Sequence, residues 1–276
     1  MDTLPQEILY HICEELTEAK SSLAVCALVS YRWVEPARSQ LFSALSISAN
    51  DNFFAFLTTF LKPNPHLAKY IRKLTLGRIV FRPTDYCTIT PCRLLELVMH
   101  LPHLQHLSIR NTSILLPPVP LGQILPAAPS KLPLKRLEIN ACDGGVAPAF
   151  MLISLFSIGH LDFRWGPTSE HYVTDYDDWY FSSHNLDTIP PCFSVDSLCL
   201  QVETFGAMSP FVTNGLRHVL PRVSAQSLRY WTTSRPNDNA YTLPSLTGLL
   251  SHTSHSIVEL GLTLGECVAH APANSP

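Results

Sequence analysis

Glycine is scarce in this chain, 11 of 276 residues, about 4% where about 7% is usual. Few positions are therefore free to take left-handed backbone, and no glycine-rich phosphate loop is present. Charge is scarce as well: Asp, Glu, Lys and Arg make up 15% of the chain and the net charge is −3, against a usual charged fraction of about 25%. Disorder by charge excess is thereby excluded. The 19 basic residues are scattered rather than clustered, which argues against nucleic acid as a partner. No basic leader with an apolar run opens the chain, and no uncharged apolar stretch reaches 18 residues. The expectation is a protein of the cytoplasm or nucleus that does not engage a membrane. Catalytic signatures are missing too: there is no G-x-G-x-x-G, no phosphate loop ending in Gly-Lys-Ser/Thr, no H-E-x-x-H and no G-x-S-x-G. We therefore expect no enzyme, no cofactor and no catalytic residues.

What is abundant is apolar surface, 46% of residues, together with 23 prolines. Such a chain must bury a large core and has many places where helices and strands are forced to stop. The eight cysteines, Cys13, Cys26, Cys87, Cys92, Cys142, Cys192, Cys199 and Cys267, lie far apart. Free buried thiols are the expectation in a chain large enough to fold without staples.

Helical signals fill residues 4–45. Thr3-Leu4-Pro5-Gln6 has the form of a capping box, and Ile8, Leu9, Ile12, Cys13 and Leu16 follow at helical spacing. After a polar connection at 17–22, Leu23 to Val29 is apolar nearly all round, the composition of a helix covered on more than one side. A third helix is expected from near Ser30, with Trp33, Val34, Ala37 and Leu41, tolerating Pro36 only in its first turns. About 40 residues cannot hide this much apolar surface among themselves, so the excess needs a partner.

The order Leu4-Pro5-x-Glu7-Ile8-Leu9-x-x-Ile12, Leu23-x-x-Cys26-x-Leu28-Val29-Ser30, Trp33 and Leu41-Phe42 resembles the F-box. That resemblance implies docking on a Skp-type adaptor protein and, through it, membership of a cullin-RING ubiquitin ligase. It also implies that Leu4, Pro5, Ile8, Leu9, Ile12, Leu23, Leu28, Val29 and Trp33 make or support the adaptor contact. The other reading is a head that merely caps the body and buries its apolar face within the chain.

Beyond the head one phrase recurs, apolar-x-x-Leu-x-apolar. It appears at Ile71-Leu74-Leu76, Leu104-Leu107-Ile109, Leu134-Leu137-Ile139, Ile158-Leu161-Phe163, Val195-Leu198-Leu200 and Ile257-Leu260-Leu262, with Leu228-x-x-Trp231 as a weaker copy. Taking 74, 107, 137, 161, 198, 231 and 260 as centres, the intervals are 33, 30, 24, 37, 33 and 29 residues, the period of stacked supersecondary units. Apolar residues two apart share one face of a strand, and the intervals leave room for the crossovers that parallel pairing needs. Helix candidates in the gaps are Asn52–Leu61, Pro91–Leu101, Pro148–Phe156 and Ser245–Ser251. The body resembles an irregular leucine-rich repeat, and residues 56–76 resemble the segment after the F-box in many fungal F-box proteins. The expected fold class is α/β. It comprises a three-helix F-box head at 1–46, a leucine-rich-repeat-like solenoid of parallel strands and helical crossovers at 47–268, and a disordered tail at 269–276.

If the strands line a concave side, alternation exposes Lys73 and Thr75, His106 and Ser108, Arg136 and Glu138, His160 and Asp162, Ser197 and Cys199, Tyr230 and Glu259. Lys73, His106, Arg136, Glu138, His160 and Asp162 are the candidate target-binding residues there, because concave solenoid faces are extended binding surfaces. A solvated face without a ligand is the alternative. The segment Asp175 to Phe181 adds Tyr176, Asp177, Asp178 and Trp179 as candidates, since aromatic anchors and carboxylates suit recognition of a basic partner. The grouping Cys87, Cys92, His100, His103 fits no common zinc spacing, so no metal is expected. Two functions compete: a non-catalytic substrate receptor of a ubiquitin ligase, and a repeat-type binding scaffold. A hydrolase-like enzyme stands third, since histidines and serines distant in sequence can meet in space.

Overall fold

The structure, a computed structural model, describes residues 4–47, 56–77, 87–114, 131–140, 146–165, 193–202, 223–232 and 259–264. Three helices open the chain: α1 (Gln6–Glu15), α2 (Lys20–Val29) and α3 (Tyr31–Leu41). Thr3 of the expected capping box lies outside the described residues, and α1 starts at Gln6. Its N-cap is Pro5, without a side-chain cap bond, and the Pro5 carbonyl accepts from the N–H groups of Ile8 and Leu9 instead. Ser30 caps α3, its hydroxyl accepting from the Arg32 N–H at 3.3 Å. Pro36 is tolerated in the second turn of α3, where it is buried. The α3 helix packs against both α1 and α2 around Cys13, Leu23 and Ala37, with Leu16, Cys26, Ala27, Trp33 and Leu41 partly buried against them.

Among the described residues eight parallel strands form one sheet in chain order, with a two-stranded accessory sheet. The main strands are β1 (Ala44–Ile47), β2 (Lys73–Gly77), β4 (His106–Arg110), β6 (Leu132–Asn140), β7 (Phe156–Trp165), β8 (Phe193–Val202), β9 (Val223–Thr232) and β10 (Glu259–Leu264). The accessory pair is β3 (Cys87–Ile89) with β5 (Thr112–Ile114). Helical segments follow at Leu57–Leu61, a π-helix, and at α4 (Pro65–Ala68), α5 (Pro91–Met99) and α6 (Val146–Ile153). The expected helix at Ser245–Ser251 and the tail at 269–276 lie outside the described residues.

The recurring phrase now has a physical cause. At the entries to β2, β4 and β6 two successive N–H groups donate to one carbonyl just ahead of the preceding strand: Arg72 and Lys73 to Ser43, Gln105 and His106 to Arg72, Lys135 and Arg136 to Gln105. This bulge-like kink consumes one residue of alternation. Apolar residues three apart, then two apart, consequently all turn inward. Ile71, Leu104, Leu134, Ile158, Val195 and Ala225 fill the first buried row. Leu74, Leu107, Leu137, Leu161 and Leu198 fill the second, and Leu76, Ile109, Ile139, Phe163 and Leu200 the third. All belong to one continuous core that also takes in Leu94, Leu97 and Leu152 from α5 and α6.

The register corrects three expectations. Leu198 pairs with Leu228, and Leu228 with Leu260, so the centre of β9 is Leu228 rather than Trp231, and its phrase is Ala225-x-x-Leu228-x-Tyr230. The intervals from Leu198 to Leu228 and from Leu228 to Leu260 are then 30 and 32 residues. Tyr230 pairs with Leu200 and Leu262, which moves it from the polar row to the apolar one, and Arg229 takes the position beside Cys199. Finally, the helical signals read up to residue 45 give way to a strand: Ala44–Ile47, at the end of the expected head, is β1, with Leu45 beside Leu74 and Ile47 beside Leu76.

Only two residues, Phe42 and Ser43, separate the end of α3 at Leu41 from the start of β1 at Ala44. The Glu35 carboxylate of α3 also accepts from the Tyr70 hydroxyl and, at 3.2 Å, from the Lys69 ammonium, and that ammonium lies 4.6 Å from the centre of the Tyr70 ring. The Tyr70 hydrogen bond, with Lys69 assisting, holds Glu35 below its ordinary range, and burial pushes Tyr70 up.

Candidate functional site

Two surfaces stand out, and both follow from what the folded chain leaves uncovered. The first is on the head. Among the described residues, seven of the eight large hydrophobic side chains that stay exposed lie within the first 31: Leu4, Ile8, Ile12, Val25, Leu28, Val29 and Tyr31. Leu28 is 85% exposed and Val29 66%. Ile8 and Ile12 are one turn apart on α1, and Val25, Leu28 and Val29 share one face of α2 by their i, i+3, i+4 spacing. The chain itself covers α2 on one side only, since Leu23 alone of that helix is buried.

Burial divides the nine residues expected at the adaptor contact. Leu4, Pro5, Ile8, Ile12, Leu28 and Val29 are exposed. Leu9 and Leu23, at 3% and 0%, are interior, and Trp33 is half-buried against the Cys13, Leu23 and Ala37 cluster. Leu23 belongs to the cluster that joins the helices, and neither it nor Leu9 is accessible to a partner while the head is folded. Val25 and Tyr31 are exposed as well, and the helical spacing of Val25 with Leu28 and Val29 is the sequence signal for Val25. Burial also pushes the Cys13 thiol up, with nearby Cys26 adding to the effect, so this cysteine is an inert core residue.

The second surface is the polar face of the sheet, which register orders into rows. Lys73, His106, Arg136, His160, Ser197, Ser227 and Glu259 are successive partners across seven strands. Beside them run Thr75, Ser108, Glu138, Asp162, Cys199 and Arg229, and a third row holds Arg110, Asn140 and Arg164 after Gly77. Gly77 has φ +128°, and a Cβ there would lie 1.7 Å from the Arg110 carbonyl oxygen. Only glycine lets the two strands close at that point.

The carboxylates lie low in this face and the guanidinium groups stand above them. Arg110 donates through Nη2 to both Glu138 oxygens, at 3.1 and 3.2 Å, and through Nε to Ser108 at 2.9 Å. Arg136 Nη2 reaches Asp162 Oδ2 at 3.0 Å, while Arg164 forks onto both Asp162 oxygens at 3.2 and 3.1 Å. The side chains of Glu138 and Asp162 are 14% and 3% exposed, against 48%, 44% and 40% for Arg110, Arg136 and Arg164. Asp162 was expected to face a target; two arginines roof it, so its role is internal. Lys73 and Arg136 are exposed, and His106, Glu138 and His160 are half-buried. Burial first, then nearby cations, hold both histidines below their ordinary range: Lys73, Arg136 and Lys135 act on His106, Arg136 and Arg229 on His160, with Asp162 opposing the latter. Arg110, Arg164 and Arg229 were missed as face residues. Tyr176, Asp177, Asp178 and Trp179 lie outside the described residues.

Among the described residues no group of three or more His, Cys, Asp or Glu could hold a metal, and no helix is long and apolar enough to cross a membrane. The His100 imidazole meets the carbonyl of Glu96 in its own helix at 2.8 Å, and burial pushes the Cys92 thiol up.

Residues 1–48 match the family model described as F-box-like. The N-terminal head is an F-box-like domain. The matched stretch spans all three helices and also β1, the first strand of the sheet. No curated protein and no solved structure matches the chain.

Proposed function

We propose that this F-box protein is a non-catalytic substrate-recognition subunit of a cullin-RING ubiquitin ligase, working in the cytoplasm or nucleus. Its head docks on a Skp-type adaptor, and its parallel sheet, read as a leucine-rich-repeat-like solenoid, binds a target protein. The observation that carries this reading is the set of apolar side chains left uncovered on α1 and α2 of an F-box-like domain. Uncovered apolar surface of this kind marks a protein interface. It also counts against a head that serves only as a cap, because a cap hides its apolar face within the chain. Ubiquitin transfer falls to other subunits. The receptor acts by proximity, holding a target near the transferring subunit and raising its effective concentration.

The test is co-expression of the full chain with a Skp-type adaptor. The adaptor co-purifies with the wild-type chain and is lost with Ile12→Asp or Leu28→Asp, whose thermal midpoints stay near wild type because both sites are exposed. Leu9→Asp is unsuitable, since that side chain is buried and the variant unfolds the head. Capture that persists in both exposed-site variants, or never occurs, overturns the reading.

A further inference from the structure

We infer that the polar face between β2 and β7 is a docking surface for an acidic peptide segment whose carboxylates lie across the exposed guanidinium groups and Lys73. The inference rests on reading this face as the target-binding surface and names the chemistry of the target. In the register rows of this face Lys73, Arg110, Arg136 and Arg164 stand with the two carboxylates Glu138 and Asp162, whereas the whole chain has net charge −3. Counting charges understates the asymmetry. The carboxylates are 14% and 3% exposed and the guanidiniums at least 40%, so a partner meets positive charge first.

Each guanidinium carries five donors in a planar fork, and its carboxylate below engages only part of that set. Arg110 uses Nε and Nη2, and Arg136 reaches Asp162 through Nη2. Held in place from beneath, these groups are already oriented toward a second anion, which lowers the ordering cost of binding. From β2 to β7 the row Lys73, His106, Arg136, His160 spans three strand spacings, roughly 14 Å at about 4.8 Å each. That is the length of four or so extended residues.

The row also makes recognition sensitive to pH. In the free protein protonation is opposed by burial first and then by nearby cations, Lys73, Arg136 and Lys135 at His106 and Arg136 and Arg229 at His160, where Asp162 acts the other way. A bound carboxylate favours the protonated rings, and by linkage acid strengthens the complex.

The probe is a fluorescein-labelled Glu-Ser-Glu-Ser-Glu-Ser peptide titrated with the full chain, its Gln-for-Glu counterpart serving as the uncharged control. The Glu peptide binds, weakening at least about threefold from 50 to 200 mM salt, and the Gln peptide does not. Lys73→Glu weakens binding by about tenfold and Lys73→Gln by less; both sit at an exposed position and keep the wild-type thermal midpoint. Lowering the pH from 7.5 to 5.5 tightens binding at least about threefold, and His106→Gln with His160→Gln removes that gain. No binding at either pH, equal binding of the Gln peptide, or indifference to Lys73→Glu overturns the inference. Adaptor capture on the same preparation separates the readings: capture without peptide binding refutes the acidic docking surface alone, and peptide binding without capture refutes the ligase role alone.

Discussion

The head and the sheet solve burial in opposite ways. In the sheet three rows of aliphatic side chains close into one core, and what remains outside is polar and charged. In the head the interior is a small cluster around Cys13, Leu23 and Ala37, and isoleucines, valines and leucines remain outside. The contrast teaches that exposed apolar surface here is local rather than a property of a generally greasy chain. Among the described residues it is concentrated in the F-box-like head, with Met99 of α5 the exception outside it.

The comparison breaks most visibly in stability. Leu137→Ala opens the fully buried middle of the sheet and is expected to cost about 2–5 kcal/mol, while Leu28→Ala on the head changes stability by no more than about 0.5 kcal/mol. Urea titration of both variants checks the pair; similar losses would erase the distinction. Next in size is Gly77→Ala. The backbone at φ +128° alone sets a penalty on the order of 1–3 kcal/mol, and displacement of the Arg110 carbonyl adds to it. Arg164→Ala leaves Asp162 to Arg136 alone beneath the face, at about 1–3 kcal/mol, and losing both arginines costs more than the sum of the single changes.

A smaller effect comes from pH. His106 and His160 titrate lower in the folded chain than in the unfolded one, so the unfolded state takes up protons first as acid is added. Their contribution is whole above the unfolded value of about 6.5 and declines as pH falls below it toward the folded values. The thermal midpoint of the free chain therefore drops between pH 7.5 and 5.5, and drops less in the His106→Gln, His160→Gln variant. The least change is expected at the junction, where Glu35→Gln weakens the hold on Tyr70 and Lys69 by about 0.5–1 kcal/mol, discounted for the half-exposed carboxylate.

Much of the fold could be read in advance because burial and period coincide. The spacing of Leu74, Leu107, Leu137, Leu161 and Leu198 needed no knowledge of the kink to mark strands in register. At β9 the aromatic Trp231 drew the alignment three residues too far, since Ala225 is a weak marker of the first row. The strand at Ala44–Ile47 is too short to show alternation and was absorbed into the helix before it. Hydropathy named the apolar residues of the head, yet which of them face outward depends on how α3 crosses α1 and α2, and that is a tertiary fact. Asp162 shows the same limit on the sheet: alternation assigned its face, and only the arginines on neighbouring positions decided that it lies beneath the surface.

The most direct test of the account is titration calorimetry of the full chain against a Skp-type adaptor at several temperatures. Docking through the uncovered leucine, isoleucine and valine side chains gives a negative heat-capacity change, and Leu28→Asp with Val29→Asp abolishes binding while the thermal midpoint holds. An adaptor that does not bind the wild-type chain, or that binds with no heat-capacity change and equally well to the double variant, contradicts the account.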